Sequence, residues 1–381
     1  MSLLLAWLLL GLLCVSALYY VLSVCATRRL FNLASPPVLS KYPPVSILKP
    51  LKGAPHDLYD TLATFCRLDY PSFQIIFGVR EPEDPAVSVV KQIQKNFPAC
   101  DISLVVEPHV IGENYKVSTL HHLLLEAKYD HLVLTDSDVT VDPDYLCKII
   151  PPLTKDETGL VTCIYRGGAS RPLPALIESI MIETSFITQV IVASQIEKPS
   201  YAFGATIAVK RHCLESIGGF APLRNVLADD YYLGFNLART GVRIQILPTI
   251  VETHPDVSSF TDLFHHQIRW GRTQRNCRPG GYLSTAVTFG TVWAGLTLLC
   301  LWPAPEICAA AFGLIFLRMV TAFFISTIFL KYTLPWASVL LVPLTDLLSF
   351  FVWLNSLWGT TVRWGPYTFR VRSNGTMTRV N

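Results

Sequence analysis

The chain has 381 residues, 51% of them hydrophobic and only 15% charged, with a formal net charge of +3 and a mean hydropathy of +0.40. Soluble domains carry about 25% charged residues, so part of the deficit belongs to lipid-facing segments, and the length suits one domain plus several spans. The small net charge, with no Arg/Lys block interleaved with aromatics, excludes nucleic acid as a leading partner, and ten cysteines without a CxxC pair point away from zinc, redox motifs and disulfides.

Residues 1–27 carry no charge, and Arg28 and Arg29 follow the apolar run instead of preceding it. A cleaved signal peptide has the opposite order. The pattern predicts an uncleaved anchor with its amino terminus outside and the next domain in the cytosol. Residues 45–48 read as a first strand ending at Lys49-Pro50, 57–66 as a helix, and 73–79 as a second strand followed by an acidic turn at 80–84. A helix over 85–96, a strand over 102–106, a helix over 116–128 and an apolar strand over 131–135 continue the alternation. Such alternation with short connections predicts an α/β fold on a mostly parallel sheet. Ligands of such sheets bind beyond the carboxyl ends of the strands, where Glu81, Asp84 and Asp136-Ser137-Asp138 stand. No glycine-rich dinucleotide fingerprint or Walker loop follows the first strand, which counts against a dehydrogenase or a P-loop nucleotidase.

Asp136 and Asp138 can offer hard oxygens to Mg²⁺ or Mn²⁺, and such an ion would absorb charge on a departing diphosphate. The same residue types also cap helices and shape turns. Phe203-Gly204-Ala205 either lets backbone approach a ligand or reflects tight packing. Asp229 and Asp230 open a helix running to Arg239; Asp230 can serve as a general base, and both carboxylates also suit a helix start. In His265-His266-Gln267-Ile268-Arg269-Trp270, Arg269 can clamp phosphate and Trp270 can offer a flat apolar face. With Arg272, Arg275 and Arg278 the segment reads as an interfacial helix.

Three apolar stretches follow: 281–305, 307–330 interrupted by Arg318, and 332–362 interrupted by Asp346 and divided by Pro335 and Pro343. Asp346 is expected to face protein or water. The tail carries Arg363, Arg370, Arg372 and Arg379, which favour the cytosolic side. An even number of crossings satisfies this, with one stretch re-entrant or interfacial.

In this order and spacing the clusters resemble the ceramide glucosyltransferase-like family of inverting GT-A transferases. The matching residues are Asp84 in Glu-Asp-Pro-Ala, Asp136 in Asp136-Ser137-Asp138, Asp230 in Ala-Asp-Asp-Tyr, and His266 to Trp270 against a (Gln/Arg)xxArgTrp motif. His266 replaces the usual Gln or Arg. The likeness runs from Ile47-Leu48-Lys49-Pro50 to the Trp-Gly-x-Tyr-x-Phe-Arg tail.

The resemblance implies a GT-A-type mixed, mostly parallel sheet flanked by helices, with transmembrane helices at both ends. It divides the chain into an anchor (1–27), a cytosolic domain (28–264), an interfacial segment (265–280), a membrane region of two to four pieces (281–362) and a basic tail (363–381). It sets the nucleoside of a UDP-sugar against Lys49, Pro50, Leu51, Glu81 and Asp84, with Asn114 and Lys116 near the donor. Lys116 also suits phosphate as a point charge. Asp136 and Asp138 would hold Mg²⁺ or Mn²⁺, and Asp230 would act as base. His266, Arg269 and Trp270 would meet donor and acceptor, with Arg269 steadying the departing UDP.

The implied reaction moves glucose from UDP-glucose to a ceramide-type lipid. Alternatives are N-acetylglucosamine transfer to a hopanoid or other bacterial lipid, a processive polysaccharide synthase, and a non-catalytic nucleotide-sugar-binding membrane protein. The implied setting is a multi-pass protein facing the cytosol, in a bacterial inner membrane or in Golgi or endoplasmic reticulum.

Overall fold

A computed structural model describes residues 3–33, 36–168, 172–302, 304–332 and 336–380. The chain opens with α1 (Leu3–Phe31), about 43 Å long at helical rise. The alternating region follows: β1 (Val45–Pro50), α2 (Leu58–Phe65), β2 (Phe73–Val79), α3 (Ala86–Asn96), β3 (Asp101–Val106), α4 (Tyr115–Glu126) and β4 (His131–Leu134). Next come β5 (Val139–Thr140), α5 (Tyr145–Leu153), β6 (Thr158–Gly167), α6 (Leu173–Met181), a π-helical turn (Ile182–Phe186) and α7 (Ile187–Ile196). The domain closes with β7 (Ile207–Lys210), α8 (Arg211–Ser216), α9 (Asp229–Arg239), β8 (Arg243–Thr253) and α10 (Phe260–Cys277).

The strands form one sheet in the order β3-β2-β1-β4-β7-β6-β8-β5. Neighbours from β3 to β4 are parallel, β7 runs antiparallel to β4 and β6, and β8 is parallel to β6. Ile47 lies beside Ile75 and Val133, and Leu48 beside Ile76 and Leu134. The first trio faces a core shared with α2, α3 and α5. The second faces one shared with α4, α8 and α9. Cover on both faces is why these strands are nearly continuous apolar runs. The mixed sheet, flanking helices and apolar helices at both ends match the expected fold class.

After α10 come α11 (Pro279–Ser284), α12 (Gly290–Leu301), α13 (Pro305–Phe324) and α14 (Val342–Ser356). Among the described residues, four helical stretches are long and apolar enough to cross a membrane, at 4–31, 173–196, 305–329 and 337–356; a fifth, 279–301, is bent by 56°. Leu13 and Tyr20 of α1 pack against Ala294 of α12 and Ala311 and Leu314 of α13. The carboxyl end of α1, through Leu30, and the residues that follow α13, through Ile325 and Leu330, join the sheet core instead.

Asp346 is 2% exposed, facing protein as expected. Arg318 Nη2 donates to its Oδ1 at 2.7 Å and Thr291 Oγ1 to its Oδ2 at 2.7 Å. Arg318 Nη1 also donates to the carbonyl of Thr184 in the π-helical turn, at 2.9 Å. Both ends of the stretch containing α14 are fastened to the sheet domain. Arg166 of β6 donates to the carbonyls of Leu330 (2.7 Å) and Lys331 (2.6 Å). Arg275 of α10 donates to those of Ser356 (2.7 Å) and Gly359 (2.8 Å).

Two features go beyond the sequence reading. The stretch 173–196 is helical and apolar, interrupted by Glu178 and Glu183, which are both buried against protein. The tail is an antiparallel sheet of β9 (Thr361–Trp364), β10 (Tyr367–Val371) and β11 (Met377–Arg379). Phe369 and Met377 pack on Leu227, and the Met377 N–H donates to the Asn225 carbonyl at 2.7 Å.

Candidate active site

The sheet topology brings the ends of β1, β2 and β4 to one edge, and the amino ends of α4 and α9 meet them there. Asn114 caps α4, its Oδ1 accepting the Val117 N–H at 3.0 Å. Its Nδ2 donates to the Val226 carbonyl at 2.9 Å and to Asp229 Oδ1 at 3.3 Å. That cap fixes the start of α4 against the start of α9. Lys116, two residues on, reaches Asp136 Oδ1 at 2.5 Å and Asp229 Oδ2 at 3.4 Å. Burial works against its charge, but Asp136, Asp229 and Asp230 outweigh it and hold the ammonium above its usual range.

Asp230 accepts the Gly204 N–H at 2.9 Å and its neighbour Tyr231's N–H at 2.8 Å. A Cβ on Gly204 would lie 2.6 Å from Asp136 Oδ2 and 3.1 Å from Lys116 Nζ, so a larger residue would push the Asp136 carboxylate aside. Asp136 and Asp230, 94 positions apart in the sequence, thus flank a single residue. Asp230 is pushed up to about 6, by burial first and Asp229 second, with Lys116 opposing. Asp138 is pushed up to about 7, by burial first and Asp136 second, with Lys49 opposing.

The expected donor residues divide into two groups. Lys49 is wholly buried; its Nζ donates to the Asp136 carbonyl at 2.5 Å and lies 4.1 Å from the Phe65 ring centre. It braces the Asp136–Asp138 turn from beneath. Burial draws its pKa down to about 7. Asp84 accepts the N–H groups of Gly53 (3.0 Å) and Ala86 (2.9 Å), tying the loop after β1 to α3. Leu51 is buried. Glu81 stands open, with its side chain 66% exposed, and Pro50 borders a small recess beside Lys116, Gly204 and Asp229.

From the side packed against α6 and α14, α10 brings His266, Arg269 and Trp270. Burial lowers the Arg269 guanidinium below its usual range, while Glu178, Asp136, Asp230 and Asp229 pull the other way. Its carbon lies 5.8 Å from the Trp364 ring centre, so the tail sheet helps seat it. The Trp270 ring centre lies 4.9 Å from that of His266 and 5.6 Å from that of Phe186. Beside it opens a pocket of about 70 Å³, lined by Phe186, Gln189, Gln267, Trp270, Phe289 and Trp353 among others.

Among the described residues no three His, Cys, Asp or Glu side chains are grouped to hold a metal. Asp136 and Asp138 supply two hard carboxylates on one turn. Mg²⁺ is commonly held by one or two carboxylates together with substrate phosphates. The donor set therefore fits an ion that arrives with a diphosphate, not one caged by protein.

The sequence profile of glycosyl transferase family 21 matches residues 9–377. The chain belongs to this family. The family 21 chain is similar to ceramide glucosyltransferase 3 of Caenorhabditis elegans, 27% identical over 236 residues, covering 58% of this chain and 49% of the relative. Ceramide glucosyltransferase 1 of the same organism is 27% identical over 218 residues, with coverage of 56% and 45%. The chain thus spans about half the length of these curated relatives. Among solved structures, the mannosyltransferase PcManGT of Pyrobaculum calidifontis, in complex with GDP-Man and Mn²⁺, shares its fold. The TM-score is 0.54 at 18% identity, over 92% of this chain and 99% of that one.

Glu178 escaped the sequence reading. A lone carboxylate in an apolar stretch is itself a signal, because it is retained only with a partner. The partner, on α10, is 88 residues away.

Proposed function

We propose that this family 21 chain is a membrane-bound, inverting glycosyltransferase that moves a sugar from a UDP-sugar to the hydroxyl of a membrane lipid, with glucose and a ceramide-type acceptor as the substrate pair. One observation carries the reading: Asp136, Asp229 and Asp230 gather around Lys116 and Gly204 at the strand ends, and Arg269 of α10 lies within reach of their charge. The names of the curated relatives support glucose and ceramide.

In this mechanism the nucleoside rests by Pro50, Leu51, Glu81 and Asp84. Lys116 and Arg269 meet the diphosphate, and Asp136 and Asp138 would hold Mg²⁺ or Mn²⁺. The ion, when bound, neutralises the diphosphate charge. Asp230 takes the proton of the attacking hydroxyl, its carboxylate aimed by the two backbone N–H donors. Arg269 steadies the charge that grows on the departing UDP. His266 and Trp270 face the acceptor, which enters through the pocket of aromatic and amide side chains beside Trp270. In the bilayer, α1, α12 and α13 form the membrane bundle. The α14 stretch re-enters and returns, and Arg28 and Arg29 keep the catalytic domain in the cytosol.

The test incubates detergent-solubilised protein with labelled UDP-glucose and UDP-N-acetylglucosamine against ceramide, hopanoid and other polar lipids, with products read by mass spectrometry. Glucosylceramide is the expected product. N-acetylglucosamine transferred to a hopanoid alone would replace the substrate pair. Donor bound but never consumed would leave a binding protein and remove the enzyme.

A further inference from the structure

Glu178 lies inside the apolar stretch of α6 and α7, and its side chain is 0% exposed. A carboxylate there is costly unless its oxygens are occupied. Oε1 accepts from the Gln267 amide Nε2 at 2.7 Å and stands 2.6 Å from His266 Nδ1. Oε2 is buried without a hydrogen-bond partner among the described residues. As a carboxylate oxygen Oε1 has no proton to give, so the imidazole edge that meets it donates. The proton therefore sits on Nδ1. Nε2 lies on the opposite edge of the ring and makes no hydrogen bond to any described residue, while the His266 side chain keeps 27% exposure. The same ring stands against Trp270, which lines the pocket and directly follows Arg269 in the chain.

We infer that Glu178 is a positioning residue for acceptor choice: by holding the Nδ1 proton it fixes the Nε2 lone pair of His266 toward the lipid headgroup, which selects acceptors bearing an O–H or N–H donor beside the reacting hydroxyl. The inference rests on the transferase reading given above. The usual Gln or Arg at this place carries its N–H groups on fixed atoms. An imidazole can shift its proton between two nitrogens, so it presents one constant face only if a partner holds the other. Buried carboxylates set the histidine tautomer in hydrolase triads by the same means. Glu178 can do so because its own position is locked from two sides of α10, by His266 and by Gln267. Acceptors that offer only oxygen lone pairs at this point would meet the Nε2 lone pair and be disfavoured.

The test uses the full-length chain in lipid nanodiscs with ¹⁵N-labelled imidazoles. The signal that disappears in His266→Gln is expected to show a protonated Nδ1 and a bare Nε2 at neutral pH, and Glu178→Gln is expected to change that pattern. A bare Nδ1, or an unchanged pattern in Glu178→Gln, overturns the assignment. In kinetics, Glu178→Gln is expected to raise the lipid KM roughly tenfold, the worth of one fixed hydrogen bond, and to move the KM for UDP-glucose less, through the lost charge near Arg269. His266→Gln carries its own loss, and adding Glu178→Gln to it is expected to raise the lipid KM little further. Equal losses in the two backgrounds would mean that Glu178 acts through packing alone, and the inference falls. A wild-type chain that consumes no UDP-sugar fails the transferase reading, and the nitrogen spectra then still decide the Glu178–His266 assignment.

Discussion

Asp230 holds two backbone hydrogen bonds, yet burial and the adjacent Asp229 keep its carboxyl near 6. Backbone donors favour the charged form, whereas burial and a like charge disfavour it; here the second pair wins. A base must be ionised to accept a proton, so transfer is expected to rise with pH through about 6 and level off above it. Asp230→Asn is expected to lower kcat by roughly 10²–10⁴-fold with UDP binding kept. Single-turnover rates against pH, beside a UDP titration of the folded variant, check both statements. Near-normal turnover by the asparagine protein removes Asp230 from the chemistry. The Asp136–Asp138 turn was legible in the sequence, because acidic residues just past an apolar strand stand where such sheets bind ligands, and Asp230 was legible as an acidic residue at a helix start. Their pKa values were not, since those depend on neighbours such as Lys116 and Asp229 that only folding supplies.

The helices show a different balance. Arg318 and Asp346 come from α13 and α14, and with Thr291 of α12 and Thr184 of the π-helical turn they join four elements at one buried point. Removing one member of such a pair leaves a buried charge alone, which costs about 3–5 kcal/mol, whereas replacing both by apolar groups of similar size is often nearly neutral. Arg318→Met and Asp346→Leu are therefore each expected to lower the midpoint of thermal unfolding in detergent, and the double variant to recover most of the loss. A double variant as unstable as the sum of the singles rules out this pairing as the source. The π-helical turn links this node to the active site, because it also carries Phe186, which packs on Trp270. The strands and helices from β1 to β4, and α9, fall within one or two residues of their sequence-based bounds, since their apolar spacing reports local burial directly. The helix over 173–196 did not announce itself. Its acidic residues break the apolar pattern, and only the facing surface of α10 explains Glu178.

At the scale of the whole molecule, the tail sheet pairs with the sheet domain through Asn225 and Leu227 and sets Trp364 beside Arg269. Tail and sheet domain must then lie on the same side of any bilayer the apolar helices span. A protease-sensitive tag after residue 381 and another in the loop before β1 are expected to be cut or protected together in sealed membrane vesicles. Opposite behaviour of the two tags would contradict the docked tail. Removal of residues 361–381 is expected to impair transfer by unseating Arg269, not merely to shorten a charged end.

By itself the sequence determined the α/β alternation, the apolar segments at both ends and the acidic and basic-aromatic clusters, because each is written in spacing or composition over a few neighbouring residues. Tertiary structure alone decided that Lys49 supports the turn from below, that Glu178 stands behind His266, that Arg318 meets Asp346, and that the basic tail folds as a small sheet on the larger sheet domain. Each of these joins residues remote in sequence, and the free energy of a buried charge depends on which partner arrives beside it.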